Sequence, residues 1–80
     1  MLTSLDIWDS ARKHGITDDD ILHAVRQVLR IIEGSTEIAI YIGADSSGRL
    51  LEIGIVNSDT DNPRIVHAMA LRSAWYAYLR

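Results

Sequence analysis

The run Ile38-Ala39-Ile40-Tyr41-Ile42-Gly43-Ala44 places isoleucine at every second residue. That is the period of a strand with one buried face, and a helix would scatter the same isoleucines around its circumference. Residues 49–57 repeat the pattern with Leu51, Ile53 and Ile55 on one face. The intervening Asp45-Ser46-Ser47-Gly48 is turn chemistry. Two alternating runs joined this closely predict an antiparallel hairpin against which the rest of the chain must pack. A four-residue loop pairs Ala44 with Arg49 and sets Ile42, Ile40 and Ile38 opposite Leu51, Ile53 and Ile55; a five-residue loop sets an isoleucine opposite Glu52. A slip of one residue exchanges the two faces, so apolar matching selects the shorter loop.

On either side of the hairpin the pattern changes. Ser4 is a candidate N-cap for a first helix over 5–13, with Gly15 as its stop. Thr17 followed by Asp20 resembles a capping box, and Asp18, Asp19 and Asp20 suit the positive end of a second helix. Ile21, Leu22, Val25, Val28 and Leu29 make one apolar helical face; residues 29–33 fit either a continuing helix or a strand. Beyond the polar stretch 58–63, residues 64–68 read as a third strand opened by Pro63. Residues 70–80 read as a C-terminal helix whose apolar face is Leu71, Ala74, Trp75, Tyr78 and Leu79. The expected architecture is α+β: two N-terminal helices, an antiparallel meander of three to four strands, and a C-terminal helix.

Eighty residues suffice for one domain, taken as 1–80, with a thin stability margin that a second copy or another protein could supplement. No apolar run approaches the roughly 20 residues of a membrane span, and residues 1–10 lack the basic and apolar regions of a signal peptide. Without cysteine there is no disulfide framework and no thiolate zinc site, which fits an intracellular domain. The net charge of −3 argues against bulk electrostatic capture of nucleic acid. Residues 49–80 are nevertheless slightly basic, and any anion site is to be sought there.

If Ile55 lies beside Ile65, one sheet face carries Tyr41, Glu52 and Arg64, framed by Ala39, Gly43, Gly54 and Ala68. Small residues leave room for something to approach the sheet, and an arginine beside a glutamate and a tyrosine can hold a phosphate and move a proton. The same residues suit a plain cross-strand ion pair. His67 is a candidate acid or base near neutral pH. Its odd spacing from Arg64 puts the two on opposite faces of a regular strand, so they cooperate only at a strand end or a bulge. Arg72, Tyr76 and Arg80 form a stripe that suits phosphates or ordinary solvation, and Arg12, Lys13 and His14 suit a helix C-terminus. The three histidines lack metal-ligand spacing, no cofactor fingerprint occurs, and 59–62 reads as a turn rather than a calcium loop.

Three segments carry a resemblance: Ala11-Arg12-Lys13-His14-Gly15-Ile16-Thr17, Gly48-Arg49-Leu50-Leu51-Glu52-Ile53, and Arg64-Ile65-Val66-His67-Ala68 with Arg72 after it. In order and spacing they resemble the BrnT-like toxins of type II toxin–antitoxin pairs, in the RelE superfamily, over residues 11 to 78. His67 stands where that pattern has serine, and Met69 where it has arginine. The resemblance implies a RelE-like fold and a small cytoplasmic, metal-independent endoribonuclease acting on RNA, neutralised by a cognate antitoxin protein. By position it implies roles for Lys13, His14, Arg64 and Tyr78, with His67 and Arg72 standing in for residues of the family's pattern; together with the sheet face read above, the candidate catalytic residues are His67, Arg64 and Glu52, and the candidate binding residues are Arg72, Lys13, His14, Tyr41 and Tyr78. The alternative is a non-catalytic interaction module of the same fold that binds a partner protein through its sheet edge or last helix. Exposure of Trp8, Trp75 or Tyr76 favours the module, and Arg64, Arg72 and His67 lining one groove favours the enzyme.

Overall fold

A computed structural model describes residues 5–33 and 37–79. The two alternating runs form the expected hairpin, β3 (Ile38–Ala44) and β4 (Leu50–Val56), and β5 (Arg64–Ala70) pairs antiparallel with β4. The stretch 28–32, open between helix and strand in the sequence, is strand β2 (Val28–Ile32), antiparallel to β3. A two-residue strand β1 (Asp6–Ile7) runs parallel to β5, giving a five-stranded mixed sheet ordered β1-β5-β4-β3-β2. One α-helix, α1 (Asp18–Arg26), packs on the face made by Ala39, Tyr41, Leu51, Ile53 and Ile55.

The structure corrects the expected layout of two N-terminal helices. The first of them is replaced by β1 and a short 3-10 helix, Asp9–Arg12. Leu5 and Ile7 pack on the core from alternate positions, and the Trp8 amide donates to the Ile65 carbonyl at 2.9 Å, so strand pairing wins over a helix. The candidate cap Ser4 lies outside the described residues. Helix α1 behaves as read: Thr17 is extended at its N-cap and accepts from the Asp20 amide at 3.2 Å. It stops a turn earlier than its apolar periodicity, at Arg26, and Val28 and Leu29 join the sheet instead. The C-terminal helix begins only at Ser73, because β5 continues to Ala70, and it is a 3-10 helix, Ser73–Leu79.

The hairpin register is the second correction. Ala44 pairs with Leu50, so Ile42 lies opposite Glu52 and the loop has five residues, 45–49. The buried Asp45 side chain explains the choice. It accepts from the amides of Ser47 and Arg49 at 3.0 and 2.9 Å, from the Ser47 hydroxyl at 2.8 Å, and from the Arg49 guanidinium at 3.0 Å. Gly48 provides the positive φ, 88°, that the loop needs. These four polar contacts, two from Ser47 and two from Arg49, hold the turn and outweigh matching isoleucine with isoleucine.

The register also decides which small residues face the helix. Gly43 lies under α1 so closely that a Cβ there would collide with the Ala24 carbonyl oxygen. The room that Gly43 leaves is therefore filled by α1.

Candidate functional site

Glu52 sits in the middle of β4 with its side chain 0% exposed. A buried carboxylate persists only when its lone pairs are met by donors. Leu71 is buried where β5 ends, and its amide donates to the Leu50 carbonyl at 3.0 Å, which carries the pairing with β4 one residue further. Arg72 then donates its amide and its Nε to Glu52 Oε1, both at 3.0 Å, and a terminal guanidinium nitrogen to Oε2 at 2.7 Å. His67 Nε2 supplies the remaining bond to Oε2 at 3.1 Å. Burial pushes the Glu52 carboxyl up, but the bonds from Arg72 and His67 outweigh it and hold the group at about 2.

An ionised carboxylate only accepts, so His67 Nε2 carries the proton in this bond. In the neutral ring Nδ1 is then the lone-pair nitrogen, the position of a base. The His67 side chain is 27% exposed, and the His14 ring meets it edge-to-face at 5.8 Å between centroids. His14 is carried to this place by local chemistry. Arg12 clamps Asp9 at 2.8 Å and Asp18 at 2.9 Å, and Gly15 turns the chain at φ 79°. Lys13 beside it is exposed, and the Arg72 side chain is 57% exposed despite its pairing.

The bulge allowed for in the sequence is present. The β4–β5 register shifts between Gly54 and Ile55, setting Gly54 opposite His67, Ile55 opposite Ile65 and Val56 opposite Arg64, with Val66 as the extra residue. Arg64 and His67 therefore share a face. The Ser10 hydroxyl donates to the bulged Val66 carbonyl at 2.7 Å. The Arg64 guanidinium packs over the Trp8 ring at 5.5 Å. Gly54 makes room for the histidine, since a Cβ there would stand 3.0 Å from His67 Cβ and 3.3 Å from Ile38 Cγ2.

Of the residues singled out in the sequence, the structure joins Glu52, His67, Arg72 and His14 in one contact cluster. It removes two. Tyr41 pairs with Ile53 on the helix-side face, so it does not share a face with Glu52 or Arg64. Tyr78 is exposed, stacks on Trp75 at 5.7 Å, and its carbonyl accepts from Arg30 at 3.1 Å, which ties it to β2. The stripe of Arg72, Tyr76 and Arg80 does not form, because Arg72 precedes the 3-10 helix; Arg80 lies outside the described residues. Sequence reasoning missed the direct Glu52–Arg72 bond. Its one signal was a carboxylate within an apolar strand, which requires a cation from elsewhere.

No group of three or more histidine, aspartate or glutamate side chains among the described residues is placed to hold a metal ion. None of their helices is long and apolar enough to cross a membrane. An open cavity of about 770 Å³ lies apart from the cluster, between α1 and β2, with Val25, Val28, Ile31 and Tyr41 in its lining. Comparison with protein-family models, with curated protein sequences and with solved structures finds no match to the chain.

Proposed function

We propose that the chain is a toxin-type domain, BrnT-like in lineage, that cleaves RNA in the cytoplasm without a metal and is neutralised by a cognate antitoxin protein. The observation that carries this reading is the imidazole pair, His14 against His67 at 5.8 Å, with His67 oriented by Glu52. Cleavage of RNA by its own 2′-hydroxyl needs a base for that hydroxyl, an acid for the leaving oxygen, and positive charge on the phosphate. His67 Nδ1 removes the 2′-hydroxyl proton, O2′ attacks phosphorus, and the P–O5′ bond breaks as protonated His14 delivers its proton to O5′. The products are a 2′,3′-cyclic phosphate and a 5′-hydroxyl. Arg72, Lys13 and Arg64 supply the charge, and Glu52 positions His67 rather than touching the RNA.

A second reading, an interaction module that binds a partner protein, is favoured by the exposed aromatics Trp8, Tyr76 and Tyr78. Induced expression of the isolated gene separates the two. The enzyme arrests growth, and His67→Ala or His14→Ala relieves the arrest. A well-folded protein with no effect on growth would sink the enzyme and leave the module.

A further inference from the structure

The cavity between α1 and β2 holds groups that the cleavage chemistry leaves unused. Ile31 and Tyr41 lie opposite each other on β2 and β3 and line its sheet side. One wall is α1 itself. Leu22, Val25 and Arg26 stand at i, i+3 and i+4, so a guanidinium shares one side of the helix with two apolar side chains. The other wall is the loop after β4, with Ser58, Asp59 and Thr60. A volume of about 770 Å³ lies within the range of small-molecule sites, which are mostly apolar with a few polar groups that fix orientation.

Two of its polar groups lack partners. Tyr41 is 9% exposed, and its hydroxyl has no hydrogen bond among the described residues. A phenol sealed in a core without a partner is costly, and no buried side-chain polar atom among the described residues is in that condition. The hydroxyl therefore opens into the cavity that its ring lines. Arg26 is exposed and has no carboxylate partner among the described residues, unlike Arg12, Arg49 and Arg72.

We infer that this cavity binds a small apolar carboxylic acid of the fatty-acid class. The chain of the acid lies along Leu22, Val25, Val28 and Ile31, and its carboxylate takes hydrogen bonds from Arg26 and the Tyr41 hydroxyl. An acid rather than an amine follows from where the charges are rooted. Arg26 is fixed on the helix beside the apolar side chains that hold the chain, and Tyr41 adds a second donor from the sheet. Asp59 sits in an exposed polar loop between Ser58 and Thr60, where its charge stays hydrated. The site is separate from the histidine pair and does not depend on RNA cleavage.

Octanoate, octanol and octylamine are matched probes of that assignment. Their titration into isotopically labelled protein, followed by amide NMR, should shift Leu22, Val25 and Ile31 and leave His67 in place. Octanoate is expected to bind with a dissociation constant of about 1 mM or tighter, at least about tenfold more tightly than octanol or octylamine. Arg26→Gln should weaken octanoate about tenfold and Tyr41→Phe about fivefold. Ile31→Trp, at a position 48% exposed, should fill the cavity and abolish binding with the circular dichroism unchanged. No shift with octanoate up to about 10 mM, equal binding of octanol or octylamine, or binding that Ile31→Trp retains would overturn the inference. Binding that appears only when residues 1–4, which precede Leu5 at the cavity, are removed would overturn it too, since the cavity would then be the seat of that segment.

Discussion

His67 and Glu52 are joined by a 3.1 Å bond from an imidazole nitrogen to a carboxylate with no exposed surface. They lie 15 residues apart, on adjacent strands, and the bond fixes which ring nitrogen of His67 faces outward.

That bond sets the first expectation. Glu52→Gln keeps the shape but removes the obligate acceptor, so His67 loses its preferred tautomer. Stability should fall by about 1–3 kcal/mol, as when a buried polar network loses a partner. RNA cleavage should fall about 100-fold, at the low end of what acid–base catalysis contributes. Urea unfolding and initial rates check the pair of effects. A stability loss with unchanged turnover would make Glu52 purely structural.

Gly54→Ala probes the same histidine through the neighbouring strand. The added methyl would stand 3.0 Å from His67 Cβ, a tight contact that His67 must relieve by shifting a few tenths of an ångström, carrying the imidazole with it. Cleavage should drop about tenfold, since misplacement on the ångström scale costs about 100-fold. Steady-state rates on a defined oligonucleotide would show it, while a melting curve records only a small change.

Gly43→Ala acts elsewhere. Its methyl collides with the Ala24 carbonyl, which is backbone and cannot rotate away, so α1 must lift from the sheet. The cost should be about 3 kcal/mol, the upper end for overpacking. Chemical denaturation of the variant measures it directly.

Acid should destabilise the protein through two carboxyls. Glu52 and Asp45 are each held at about 2 in the fold, against ordinary values of 4.5 and 3.8. For both, burial acts upward and the donated hydrogen bonds outweigh it. The unfolded chain then binds more protons between those values, so stability is complete above about pH 5 and drains away as pH falls toward about 2. Unfolding free energies measured across that window should slope downward into acid, and Asp45→Asn with Glu52→Gln should flatten the slope.

Strand period and capping chemistry made the three long strands and α1 readable from residues alone. What escaped the sequence has physical causes. The β3–β4 register turned on Asp45, whose four hydrogen bonds decide the loop length although apolar matching points the other way. That one-residue slip also moved Tyr41 to the helix side, away from Glu52. Strand β1 was too short for its Leu5/Ile7 alternation to outweigh a helical reading. The bulge at Val66 was foreseen only as a condition for Arg64 and His67 to cooperate. The meeting of His14 with His67, 53 residues apart, has no local signature at all.

The most direct test of the account is incubation of purified protein with a single-stranded RNA oligonucleotide in a chelator, followed by analysis of the product ends. The account expects cleavage that leaves 2′,3′-cyclic phosphate and 5′-hydroxyl termini, follows a bell-shaped pH profile, and falls at least about 100-fold in His67→Ala and in His14→Ala. Intact RNA after prolonged incubation with folded protein, or cleavage that both variants retain, would contradict it.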